Sequence, residues 1–252
     1  MKKNNYYYES DTKHAQIIPQ TAIDVLYNSI VRIENNNRIG TGFFLKLNIK
    51  KKMKYFLFTC HHVISKNDVN SKIAINFFYG KKKEEKKKVI ILDRSQRFIS
   101  CLDYKIDDSD RIIDATVIEI KKSDEIPEDK YLIADLTYKY GYDIYEQKNY
   151  FLAGYPNEPL YPLYQKERHI SSGLIIGIKG FIFAHSIDAR GGSSGSPICQ
   201  VENLRVVGMH NGGNIQKPLN YGVFIGVIID ELEKQLDNID IDININESKL
   251  KN

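Results

Sequence analysis

From about position 28 onward the chain is a succession of short apolar runs, each closed off by Gly, Asn, Asp or Lys. In the first half they fall at 30–34 (IVRIE), 41–47 (TGFFLKL), 54–60 (KYFLFTC), 72–79 (KIAINFFY), 88–92 (KVIIL), 98–104 (FISCLDY) and 114–120 (DATVIEI). In the second half they fall at 131–136, 149–154, 168–178, 180–187, 197–201, 204–210 and 221–227. Each has the length and the β-branched and aromatic content of a strand. The stretch 121–130 (KKSDEIPEDK) is charged, carries Pro127 and has no period, so it reads as a connector. Many short strands at regular spacing predict a sandwich or barrel, and two such sets predict paired barrels. Only near the end does the period change. Ile229, Leu232 and Leu236 recur at i, i+3 and i+7 between charged residues, which predicts one short amphipathic helix over 228–236. The expected organisation is a polar leader arm (1–20), a first barrel (21–124), a second barrel with its closing helix (125–237) and a flexible low-complexity tail (238–252).

Composition agrees with an all-β chain. Ala occurs 8 times in 252 residues while Ile, Tyr and Phe total 64, so the best helix former is scarce and strand formers abound. A hydrophobic fraction of 42% with 27% charged residues excludes wholesale disorder. A net charge of +4 does not call for a nucleic-acid partner, and the run 81–88 (KKKEEKKK) reads as a solvated hairpin tip. The longest apolar stretches, such as 223–229, are too short to cross a bilayer, and the N-terminus lacks an apolar secretory core. Cys60, Cys101 and Cys199 are an odd set, which points to free thiols in a reducing compartment. The expectation is therefore a cytoplasmic protein without membrane or nucleic-acid partners.

Three segments carry chemistry. Arg190-Gly191-Gly192-Ser193-Ser194-Gly195-Ser196-Pro197 flanks serines with glycines, as a tight turn must when it exposes a nucleophile beside converging backbone N–H groups. Phe58-Thr59-Cys60-His61-His62-Val63 sets histidines where an apolar strand ends, and Asp114 opens another strand. A carboxylate there can orient a histidine and balance its cationic form. The order His, Asp, Ser, with gaps of 52 and 80 residues, is what a nucleophilic triad would use. No cysteine or histidine spacing suggests a metal site, and no cofactor is called for. Gly191-Gly192-Ser193-Ser194-Gly195 also fits the G-x-S-x-G of an α/β-hydrolase esterase with Ser193 as nucleophile, but that fold needs an acid and then a histidine downstream, and helices between strands. A fold kept only for binding is the other alternative.

With these residues in place the chain resembles the chymotrypsin-like (trypsin-fold) serine peptidases, nearest the bacterial glutamyl endopeptidase and HtrA-like branch. The resemblance rests on Ile39-Gly40-Thr41-Gly42-Phe43-Phe44, Thr59-Cys60-His61-His62-Val63, Asp114-Ala115-Thr116-Val117, Gly154-Tyr155-Pro156, Gly192-Ser193-Ser194-Gly195-Ser196-Pro197 and Val207-Gly208-Met209-His210-Asn211-Gly212-Gly213. It implies two six-stranded antiparallel β-barrels with the active site in the cleft between them. It also implies a serine endopeptidase acting on polypeptides, with His62, Asp114 and Ser194 as triad and the N–H groups of Gly192 and Ser194 as oxyanion hole. Cys60 stands where the family usually has Ala, and replacements at His61 and Ser193 are expected to be mild. His210 in the G-x-H segment implies a pocket that prefers Glu or Gln before the scissile bond. Asp188, six residues before the nucleophile, is the position that selects Lys or Arg in trypsin-like members. Ala189 replaces a pocket threonine of the glutamyl endopeptidases.

Overall fold

The computed structural model describes residues 19–36, 38–79, 84–106, 112–157, 167–214 and 219–250. Residues 1–18 of the expected leader arm, and 81–83 of the lysine-rich tip, lie outside the described residues. The described chain opens on a helix, α1 (Gln20–Ser29), which buries Ala22, Leu26 and Ser29 on one face. Eight strands of the first half follow: β1 (Ile30–Asn35), β2 (Arg38–Ile49), β3 (Lys52–Thr59), β4 (Lys72–Tyr79), β5 (Glu84–Ile91), β6 (Ile99–Leu102), β7 (Ala115–Glu119) and the two-residue β8 (Leu132–Ile133). The second half contains β9 (Asn149–Gly154), β10 (His169–Lys179), β11 (Ile182–His185), β12 (Pro197–Gln200), β13 (Val206–Asn214) and β14 (Leu219–Phe224). Helix α2 (Ile225–Leu250) ends the described chain.

The second half closes as expected into a six-stranded barrel, in the order β10-β11-β14-β13-β12-β9. The first half departs from the expected six-stranded barrel. Its eight strands form a sheet in the order β5-β4-β1-β2-β3-β7-β6, and β8 adds to β2 in parallel. The path ends at β5 and β6, which are consecutive in sequence. Between them the chain bends, and its backbone groups bond elsewhere: Gln96 and Arg97 donate to the Asp93 carbonyl, and Glu119 donates to that of Phe98. Arg97, buried, is tied to both carboxylate oxygens of Asp124 at 2.9 and 3.1 Å, which fixes the corner.

One apolar core spans both halves, and a second, with Leu152, Ile175, Phe183, Ile198 and Phe224, fills the second barrel. Phe43, Phe44, Phe56 and Phe58 on β2 and β3 are fully buried, and Phe43 stacks on Phe58 at 5.4 Å. Phe151, Ala153 and Met209 of the second barrel belong to the same apolar cluster. Burying this face on both sides explains why β2 and β3 read as nearly continuous apolar runs rather than alternating ones. Helix α2 packs Ile228, Ile229, Leu232 and Leu236 inward and is anchored by Tyr138 Oη on Asp230 (2.8 Å) and Tyr104 Oη on Glu231 (2.5 Å). It is longer than the short helix read from its apolar spacing. No described helix is long and apolar enough to cross a membrane.

Candidate active site

β3 stops at Thr59, and the chain turns through Cys60–Ile64, with the N–H groups of Val63 and Ile64 donating to the Cys60 carbonyl. The turn is pinned from outside. Arg38 donates to the His62 carbonyl at 3.3 Å and to both oxygens of Asp68 at 2.6 Å, and Asn35 donates to the Val63 carbonyl at 3.2 Å. Asp68 also accepts the Ser65 N–H and hydroxyl, each at 2.7 Å. Burial pushes the Asp68 carboxyl up, but the Ser65, Asn35 and Arg38 hydrogen bonds outweigh it and hold it down at about 2.

Asp114 sits just before β7 in a left-handed conformation, φ 51°. Asp is one of the few L-residues that tolerate this region. The conformation brings both carboxylate oxygens onto His62. Oδ1 accepts the backbone N–H at 3.0 Å, and Oδ2 lies 2.8 Å from ring Nδ1. The His62 side chain keeps about half its surface exposed, so its other nitrogen can be reached from solvent.

The serine loop needs its glycines. Gly192 (φ 87°) and Gly195 (φ 90°) have positive φ, and a Cβ at Gly195 would lie 2.0 Å from the Thr41 carbonyl oxygen. Ser193 turns inward: its N–H donates to the Arg190 carbonyl (2.9 Å) and its Oγ accepts the Arg190 N–H (3.2 Å). Ser194 is half-buried. Among the described residues no acceptor takes the N–H of Gly192 or of Ser194.

Hydrogen bonds across the two halves bring the segments together. Thr41 on β2 donates its N–H to the Ser194 carbonyl and its hydroxyl to the Gly192 carbonyl, both at 2.9 Å, and accepts the Tyr155 N–H at 2.9 Å. The His210 carbonyl takes the Gly195 N–H at 2.8 Å and the Cys60 thiol at 3.3 Å. Cys60 and Gly195, neighbours of His62 and Ser194 in the chain, thus meet on one oxygen atom. Sequence spacing gave no metal cluster, yet one ligand atom from each of Cys60, His62 and Asp114 lies within 4.8 Å of the others. Hydrogen bonding within the His62–Asp114 pair and from Cys60 to His210 accounts for that grouping. Burial, and after it the Asp114 charge, push the Cys60 thiol up, so it stays protonated and is no rival nucleophile.

The expected pocket residues divide. His210 on β13 is buried, and its Nδ1 lies 3.1 Å from Nε2 of His185 on β11. Burial, and then the other ring, push His185 down to about 3. Burial, and then the His62 charge, push His210 down to about 4. Both rings are neutral at neutral pH and share one proton between the facing nitrogens. His185 was not singled out from the sequence; a histidine inside the apolar strand FIFAHS was its only signal. Asp188 and Ala189 instead line a cavity of about 300 Å³ with Leu152, Pro156, Ile170 and Ser193, and His210 is not on its wall.

The family model of the trypsin-like peptidase domain matches residues 40–209. No curated protein matches the sequence. Among solved structures, the chain is similar to the Mycobacterium tuberculosis protease Rv3671c in an inactive form, a serine-to-alanine mutant, with 15% identity and a TM-score of 0.55 over 84% of this chain and 88% of that one. The active form of the same protease aligns with 14% identity and a TM-score of 0.54 over 83% of this chain and 82% of that one. A serine endoprotease from Yersinia pestis aligns with 12% identity and a TM-score of 0.57, over 85% of this chain and 65% of that one. At these identities the likeness is one of fold.

Proposed function

The chain belongs to the trypsin-like peptidase domain family, and from that premise we propose that it is a serine endopeptidase working through His62, Asp114 and Ser194. The observation that carries this is the two-point grip of Asp114 on His62, through ring Nδ1 and backbone N–H together. That grip fixes the ring tautomer, keeping Nε2 as the base. Ser194 attacks the scissile carbonyl while His62 takes its proton. The N–H groups of Gly192 and Ser194 hold the oxyanion, and His62 then passes the proton to the leaving amine. Water repeats the sequence on the acyl-enzyme. None of these steps needs a cofactor.

For the residue before the scissile bond we propose Glu or Gln, recognised by His210. The His185–His210 pair supports this reading: with His185 Nε2 donating to His210 Nδ1, the His210 Nε2–H is left to donate to either side-chain oxygen. Lys or Arg selection by Asp188 is the lesser reading: Asp188 faces a wall that also holds Arg190. A labelled fluorophosphonate tests the central claim. It should modify the folded protein at Ser194, and Ser194→Ala should abolish both labelling and hydrolysis, with a loss on the order of 10⁴–10⁶ in kcat. Folded protein that resists the label would favour a binding module instead.

A further inference from the structure

His61 stands next to the proposed base, yet its side chain does not point to solvent. It is about nine-tenths buried and reaches across to the segment that bears Asp114. Its Nδ1 lies 3.3 Å from Thr116 Oγ1 on β7. The Thr116 hydroxyl proton is already committed to the Ile64 carbonyl at 2.6 Å, so the threonine oxygen receives the Nδ1–H of His61. On the ring's other side Nε2 lies 3.6 Å from Asp103, beyond hydrogen-bond reach. One imidazole therefore meets β7 two residues beyond Asp114, while its own backbone continues directly into His62.

Asp114 needs such a hold. Even an aspartate keeps a left-handed backbone in one fixed orientation only where its surroundings support it. Arg38, Asn35 and Asp68 fix the His62 turn from the β1–β2 side, but none of them reaches Asp114. β3 pairs with β7 as far as Thr59 and Thr116, and beyond that pairing the side-chain ties between the turn and β7 are His61 to Thr116 and Thr116 to the Ile64 carbonyl.

We propose that His61 is a positioning residue for the acid: through Thr116 it holds the start of β7 against the His62 turn, so that Asp114 keeps its two-point grip on His62. This rests on the peptidase reading above, and the test separates the two. In ¹⁵N-labelled protein carrying Ser194→Ala, which needs no turnover, the ring shifts of His62 report which nitrogen bears the proton. With His61 in place His62 should be held as the Nδ1–H tautomer. With His61→Ala it should drift into a mixture with Nε2–H, and with His61→Asn, whose amide can still donate to Thr116, it should be restored. In the enzyme with Ser194 intact, His61→Ala should lower kcat about 10–100-fold, the usual effect of a misplacement near 1 Å, and not mildly as the resemblance alone implied. KM should stay within twofold, and His61→Asn should recover most of the loss. Should His61→Ala fail to fold, Thr116→Val removes the same acceptor at nearly constant volume and should give the same tautomer mixture. An unchanged His62 tautomer in these variants overturns the proposal, as does a fall in kcat with the tautomer intact. A parent enzyme with no hydrolysis, or Ser194→Ala with full hydrolysis, would instead defeat the peptidase reading.

Discussion

The buried His185–His210 pair sets a stability limit on the acid side of neutrality. A free histidine titrates near 6.5, whereas burial holds these two rings at about 3 and about 4. Below pH 6.5 the unfolded chain therefore binds protons that the folded chain refuses, and stability falls with pH by about 1.4 kcal/mol per unit for each ring. The stabilisation is complete above 6.5 and is lost progressively as pH drops toward the folded values. At pH 4.5 the cost approaches roughly 5 kcal/mol for the pair, a large share of the 5–15 kcal/mol typical of a domain. His185→Phe removes one of the two titrations while keeping a ring in the space beside Phe183, 5.9 Å away. At pH 7.5 the variant should lose about 1–3 kcal/mol for the unpaired His210 nitrogen. Between pH 7 and 5 its stability should fall about half as steeply as that of the parent. Urea unfolding at half-unit pH steps measures both slopes. Equal slopes for parent and variant would show that the rings are not held neutral by the fold, and the account of the pocket would fail with them.

Three further outcomes are expected. Gly195→Ala should destabilise by about 3 kcal/mol or more in urea, since its Cβ would meet the Thr41 carbonyl at 2.0 Å; a cost below about 1 kcal/mol would mean that the loop can shift freely. Asp68→Asn should cost about 1–2 kcal/mol at pH 7 by weakening its bonds to Arg38 and Ser65, and unfolding curves that superimpose on the parent's would remove Asp68 from the scaffold of the His62 turn. His210→Ala should reduce kcat/KM for Glu and Gln peptides by about 10–100-fold, as the loss of a buried hydrogen bond does, while Asp188→Ala leaves it nearly unchanged. Cleavage-site mapping that finds Lys or Arg, abolished by Asp188→Ala, would reverse that assignment.

The strands and the order of the triad segments were legible because β-branched runs broken by turn residues carry their own signal. Helix α1 was not. It is capped by Pro19 rather than by a serine or aspartate, includes the β-branched Ile23 and Val25, and buries only a narrow face at Ala22, Leu26 and Ser29. The open first sheet was hidden too, because its order is set by strands far apart in the chain, β1 beside β4 and β3 beside β7. Within the site, motif spacing singled out His62, Asp114 and Ser194. It could not reveal the left-handed Asp114 backbone, the partnership of His61 with Thr116, or His185 behind His210. Each of these depends on which strands become neighbours.

Thr41 has one further consequence, for the order in which the protein is made. The carbonyls of Gly192 and Ser194 are both tied to this residue, which lies about 150 positions earlier in the chain. The serine loop therefore cannot take its final shape inside an isolated second barrel; it is completed only when that barrel docks on β2. During synthesis the first half emerges early with His62 and Asp114, and the second half arrives with Ser194 on a loop that is unfinished. Cleaving competence should thus be the last property the chain acquires, so that a nascent peptidase cannot attack its own unfolded segments.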